Sequence, residues 1–159
     1  MQDDLYPPEP VGFLGRLVGK KEKEQSKCVA AREEGDQAEL DKSWDALDYL
    51  ISEGRKRSGV SRFLTEGGIE IPEDLGYGGP RVYSSSEVRE IARYLETVSV
   101  ETVRAHYDAK MMDQLEIYPQ FWFKGGPDLY AYVLSNFATL KDFVGEAAIR
   151  GDGIMIVCS

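Results

Sequence analysis

The sequence predicts a mixed α/β (α+β) fold: a small mixed sheet flanked by several helices, with a long C-terminal helix followed by a buried terminal strand. Three stretches carry that expectation. Leu40, Trp44, Leu47 and Ile51 recur at helical spacing, with Leu50 widening the stripe. Leu129, Tyr132, Val133, Phe137, Leu140, Phe143, Val144, Ala147 and Ala148 keep one helical face for about six turns. Ile154–Cys158 is a continuous apolar run of strand length, the pattern of a strand covered on both faces.

Taken in order, residues 1–10 are acidic and hold Pro7, Pro8 and Pro10, which block regular pairing and predict an extended start. Val11–Val18 is apolar but broken by Gly12 and Gly15, and periodicity leaves helix and strand both open. Lys20–Lys27 is a charged, solvated run, and Cys28–Glu33 adds one helical turn ending near Gly35. A helix over Glu39–Ser52 follows, stopped by Gly54. Arg55–Gly68 reads as a loop with a short helix around Val60–Leu64. Ile69 and Ile71 before Pro72 give a short extended piece. Gly76–Pro80 is a turn and Arg81–Tyr83 a strand.

Ser84 with Glu87 three residues on forms a capping box for a helix with Val88, Ile91, Ala92 and Leu95 on its apolar stripe. Ser99 starts the next helix, with Val98 and Val103 as a hydrophobic staple and an end near Asp108. Ala109–Leu115 adds a turn or two of helix. Glu116–Pro119 leaves it extended, because Pro119 disfavours α geometry at Tyr118. Pro127 suits the first position of the long helix and Gly151 its end. Asn136 falls inside that helix's apolar face, where it must find hydrogen-bond partners.

A chain of 159 residues with 42% hydrophobic and 30% charged residues is about one domain of a globular protein. The net charge of −9 argues against nonspecific nucleic-acid binding, which needs a basic face, and leaves room for a basic protein partner. Cys28 and Cys158 form neither a C-x-x-C nor a disulfide framework, so a reducing compartment is the default. No run approaches the roughly 18 apolar residues that span a membrane. The start lacks the basic and apolar regions of a secretory signal, so a cytoplasmic location follows by elimination.

The candidate chemistry lies on and around the first helix. Asp41, Asp45, Asp48 and Ser52 form a second stripe beside the apolar one. Carboxylates one turn apart can share a hard cation or a proton, face water, or pair with Lys42 or an arginine elsewhere. Asp41 also suits the positive end of the helix dipole. Trp44, on the apolar face, is either a core residue with its N–H satisfied or a stacking platform. Tyr118 with Trp122 could line a pocket beside that helix, or form a structural turn with aromatic packing. Arg81, after a Gly-rich loop, could receive an anion or pair with one of the aspartates. No phosphate-loop or dinucleotide motif is present. His106 is the only histidine, so the usual transition-metal ligand sets are not available, and it reads as a surface residue at a helix end. No nucleophile–base–orienter set assembles and no cofactor is expected.

Four pieces occur in a telling order: Leu-Asp-Lys-x-Trp-Asp-x-Leu at Leu40–Leu47, Gly-Tyr-Gly-Gly-Pro-Arg at Gly76–Arg81, Glu-Ile-Tyr-Pro at Glu116–Pro119, and the long helix with its terminal strand. Together they resemble the YfbM-like family, a bacterial domain of unknown function, over Glu39–Val157. The resemblance implies a compact α/β domain with a small sheet flanked by helices, and it supplies no catalytic residue. Members usually carry His where this chain has Asp48, and they open with a short apolar strand that Met1–Asp4 does not show. On this basis residues 1–38 form a partly irregular N-terminal extension, packed on or preceding the domain, and 39–159 a single domain. Two functions stay open: a binding or interaction protein, for instance an immunity-type protein against a basic toxin, or a small enzyme or ligand-binding domain. Its pocket would draw on Asp41, Trp44, Asp45, Asp48, Arg81, Tyr118 and Trp122.

Overall fold

The computed structural model describes residues 37–73 and 77–158. The expectations for residues 1–36, and for Gly76 in the Gly-rich loop, lie outside the described residues.

The first helix begins with a 3-10 turn, Asp41–Ser43, and continues as α1, Trp44–Ile51. Every residue from Asp45 to Ile51 is buried, and so are Ser43 and Ser52. A helix buried all round occupies the middle of a core. It packs against a later helix pair and a 3-10 turn at Gly59–Arg62. Its end is closed by Ser52 Oγ, which donates to the Asp48 carbonyl at 2.6 Å, and by Gly54 N donating to the Tyr49 carbonyl at 2.8 Å.

Three short strands follow: β1 (Ile69–Glu70), β2 (Arg81–Tyr83) and β3 (Ile154–Ile156). Their order is β1-β2-β3 and both pairings are antiparallel, so the small sheet is antiparallel throughout rather than mixed. Gly68 lets the chain enter β1: its φ is +61° and an added Cβ would lie 2.9 Å from the Val82 carbonyl oxygen. The register places Ile69 opposite Val82 and Val82 opposite Met155 on one face. That face is exposed, with Met155 at 53%. Tyr83 and Ile154 are buried on the other. The terminal strand is therefore covered on one face only. A run of apolar residues does not by itself distinguish a two-sided strand from one whose outer residues meet solvent.

α2 (Ser85–Thr97) opens on the expected capping box: Ser84 Oγ accepts from Glu87 N, and Glu87 Oε2 accepts from Ser84 N at 2.8 Å. α3 (Val100–His106) has Ser99 as its N-cap, with Val98 and Val103 both buried as the staple requires. His106 ends α3 with Nδ1 2.9 Å from the Thr102 carbonyl. α4 (Ala109–Gln114) starts from Asp108, whose Oδ1 accepts from Lys110 N and Met111 N. The segment after it is not extended. Glu116 and Gln120 have positive φ and fold the chain into turns, with the Tyr118–Pro119 bond cis and Ile117 drawn into the core.

α5 (Asp128–Arg150) is the long helix, packed along α2 through Val133, Phe137, Leu140 and Val144. Gly151, at φ +76°, caps it in the left-handed region. Asn136 is half-buried rather than buried, at the margin of the apolar face, and Nδ2 donates to the Tyr132 carbonyl at 3.0 Å. No helix among the described residues is long and apolar enough to cross a membrane.

Two substitutions separate core from cap. Leu47→Ala removes a fully buried side chain from α1 and is expected to cost about 3 kcal/mol in urea unfolding. Ser84→Ala removes one end of the capping box and is expected to cost about 1 kcal/mol.

Candidate functional site

The carboxylate stripe of α1 is a set of tethers. Asp48 is fully buried. Its Oδ2 accepts from Arg62 Nε at 2.7 Å, its Oδ1 accepts from Thr65 Oγ1 at 2.8 Å, and Arg55 Nε lies 3.7 Å away. Arg62 also donates to Thr65 Oγ1 at 3.0 Å, which closes a three-residue ring of bonds. Asp45 Oδ1 pairs with Arg55, while Oδ2 accepts from Tyr118 N at 2.9 Å. Asp41 is exposed, and its Oδ2 accepts from Tyr132 Oη on α5 at 3.0 Å. Each of the three thus binds a different part of the chain to α1.

Burial pushes the Asp48 carboxyl above its ordinary 3.8, against the lowering effects of Thr65, Arg62 and Arg55. With each oxygen of Asp45 and Asp48 engaged, neither is free to ligate a cation or take a substrate proton. Among the described residues no group of three or more His, Cys, Asp or Glu is arranged to hold a metal.

Above these pairs lies an aromatic ledge. Trp44 is half-buried, at the edge of the core rather than inside it. It is the first residue of α1, and Tyr118 and Tyr77 pack against its ring. Tyr118 stacks on it at 5.8 Å between centroids with the planes 25° apart, and Tyr77 meets it edge-on at 5.7 Å. Tyr77 and Tyr118 are 5.4 Å apart, and Tyr77 is 53% exposed. The Tyr77 hydroxyl is held above its ordinary pKa by its hydrogen bond to Tyr118.

Beside the ledge is a recess of about 70 Å³. Trp44 and Tyr77 form one wall, Leu64 and Ile156 supply apolar surface, and Thr65, Arg81 and Cys158 complete it. Arg81 does not pair with an aspartate of α1. Its Nη2 donates to Glu70 Oε2 at 3.1 Å and its Nη1 to the Gly67 carbonyl at 2.9 Å. Glu70 is its cross-strand neighbour in the β1–β2 register and therefore the nearer carboxylate. Burial raises the Cys158 thiol above its ordinary pKa, so it stays protonated at neutral pH.

Of the residues singled out in the sequence, the structure brings Trp44 and Arg81 to the recess and Tyr118 to the ledge next to it. Asp45 and Asp48 lie under it, consumed by arginines, and Asp41 points to α5. Trp122 belongs elsewhere: it is 1% exposed, donates from Nε1 to the Ile117 carbonyl at 2.9 Å, and packs edge-on to Tyr107. Tyr77, Thr65 and Cys158 were missed as site residues, as were Arg55 and Arg62 as partners of the aspartates. Tyr77 had a signal, since it is the one ring inside the Gly-rich loop. The others are placed by long-range packing alone.

A family model described as a domain of unknown function (DUF1877) matches residues 9–157, and the chain belongs to that family. No curated protein and no solved structure matches the chain.

Removing Arg62 tests the buried pair. Arg62→Met leaves the buried Asp48 carboxyl without its closest cation and is expected to cost about 3 kcal/mol at neutral pH. The folded carboxyl holds its proton more tightly than the unfolded one, so the fold loses stability as pH rises from 3.8 through the folded pKa and loses no more above it. That cost is relieved as pH falls toward 3.8, and more so in the variant, whose Asp48 binds its proton tighter still. Urea unfolding across this acid range should show the gap between wild type and variant narrowing. A gap independent of pH would contradict this account.

Proposed function

We propose that this DUF1877 protein, a YfbM-like bacterial protein of the cytoplasm, is a soluble binding protein rather than an enzyme, and that its partner is a basic protein. The observation that carries the reading is the aromatic cluster of Trp44, Tyr77 and Tyr118, continued along the chain by the turn to Phe123. Interfaces are enriched in aromatic residues and methionine, and large aromatic anchors dominate their energetics. Phe123 is 57% exposed, and Phe121, Leu115 and Met111 are exposed on the same stretch of chain.

These side chains project from fixed backbone. Asp113 accepts from Trp122 N at 2.8 Å and from Phe123 N at 3.0 Å, and the buried Trp122 anchors the turn between two exposed phenylalanines. Asp45 holds Tyr118 N from the other side. Anchors already in place lose little entropy on binding. The net charge of −9 favours a basic partner by long-range attraction. The most concrete form of this reading is an immunity-type protein that neutralises a basic toxin.

Capture from native extract at low salt, with wild type and a Tyr77→Ala, Phe123→Ala double variant as baits, tests it. A basic protein should be retained by wild type, lost from the variant, and released as salt rises. Equal retention by both baits, or retention of nothing specific, would refute the reading.

A further inference from the structure

We infer that the recess between Trp44, Tyr77 and Arg81 is a binding site for a small carboxylate with a compact planar or apolar body. It is a separate capacity from the basic-partner reading, although Trp44 and Tyr77 border both surfaces.

The argument is one of charge and shape. Acidic residues outnumber basic ones in this chain, 28 to 19. The recess reverses that balance: among its described lining residues Arg81 is the only one with a formal charge, and no carboxylate lines it. Asp45 and Asp48 beneath are each matched to an arginine, which weakens their opposition to an incoming anion without removing it, since both still raise the Cys158 thiol on the recess wall. The Cys158 thiol adds no negative charge.

Arg81 has donors to spare. Its two bonds go to Gly67 O and to Glu70, and a guanidinium carries more N–H groups than those bonds use. Glu70 is half-exposed and bound through one oxygen to Arg81 and through the other to Gly79 N at 3.2 Å, so a ligand carboxylate has to share Arg81 with it. The rest of the lining is aromatic or aliphatic. A volume of about 70 Å³ takes a carboxylate and the near edge of its body, leaving a ring to lie against Trp44 and Tyr77.

The probes are benzoate, its neutral isostere benzamide, and acetate, titrated into the full chain by nuclear magnetic resonance. Benzoate should give saturable shifts at the Trp44 indole N–H and the Cys158 amide. Benzamide should bind about tenfold more weakly, the ratio of one charge-assisted hydrogen bond. Acetate, which lacks the body, should also be weaker. Arg81→Gln should abolish the preference for benzoate over benzamide, and Arg81→Lys should keep part of it. Cys158→Phe fills the recess and should block all three, which gives a second test should Arg81→Gln disturb the sheet. Benzoate binding no better than benzamide, or unchanged by both Arg81→Gln and Cys158→Phe, overturns the inference. None of these outcomes bears on whether the aromatic face captures a protein.

Discussion

The structure depends on a carboxyl group buried in the middle of its core. Asp48 has no exposed surface, and an isolated carboxylate there would cost far more than the fold as a whole can spare. It is tolerable only with a cation and a hydrogen-bond donor held against it. Arg62 and Thr65 supply these, and both come from the segment after α1. That segment is thereby obliged to fold back along the helix it has just left. The left-handed residues Glu53, Gly54 and Arg55 make the reversal, and Arg55 uses it to reach Asp45.

The rest of the architecture is coupled to this folded-back segment. Tyr83 on β2 places its hydroxyl 2.6 Å from the Phe63 carbonyl and 2.7 Å from that of Glu66, and Arg81 on the same strand donates to Gly67 O. The sheet is thus fastened to residues 63–67, which are in turn fastened to α1 by Arg62 and Thr65. On the opposite side, Asp45 uses its remaining oxygen to hold Tyr118 N. One helix therefore fixes both the sheet side of the recess, through Asp48, and the aromatic turn beside it, through Asp45. The stacking of Tyr118 on Trp44 follows from where Asp45 pins the backbone.

The legible part of the chain was local. The Ser84–Glu87 box, the Ser99 cap with its Val98–Val103 staple and the Gly151 end are patterns within a few residues, and each stands where the sequence puts it. The stripe on α1 was legible as a stripe but not as to what it faces. A helix covered on all sides has no solvent face, so its polar stripe reads as a surface until Arg55 and Arg62 are known to close over it. Which alternative each tryptophan takes, Trp44 at the recess and Trp122 in the packed turn, was not legible for a related reason. Hydrophobic spacing put Trp44 on the core stripe. It could not register that Trp44 stands at the first turn of the helix, where the core ends, or that the turns after α4 carry Trp122 inward. Arg81 was sought among the aspartates because strand register, which makes Glu70 its neighbour, is not written in either strand alone.

The engagement of these carboxylates limits the activity they can support. A carboxylate that acts as a base or a ligand needs a free oxygen with access from outside. Asp48 has neither, and Asp45 keeps its two oxygens on Arg55 and Tyr118. Folding accounts for all of these groups without remainder. It accounts only in part for Tyr77, Phe121 and Phe123, whose rings pack on Trp44, Trp122 and Lys110 on one side and stay about half exposed. Burying such rings is favourable at about 25 cal/mol per Å², and here that gain is left unclaimed on a backbone already immobilised by Asp45 and Asp113. Half-exposed aromatics on immobilised backbone, beside buried carboxylates that are each paired, are what the proposed binding role rests on. The acids of α1 set its shape, and the rings and Arg81 supply its chemistry.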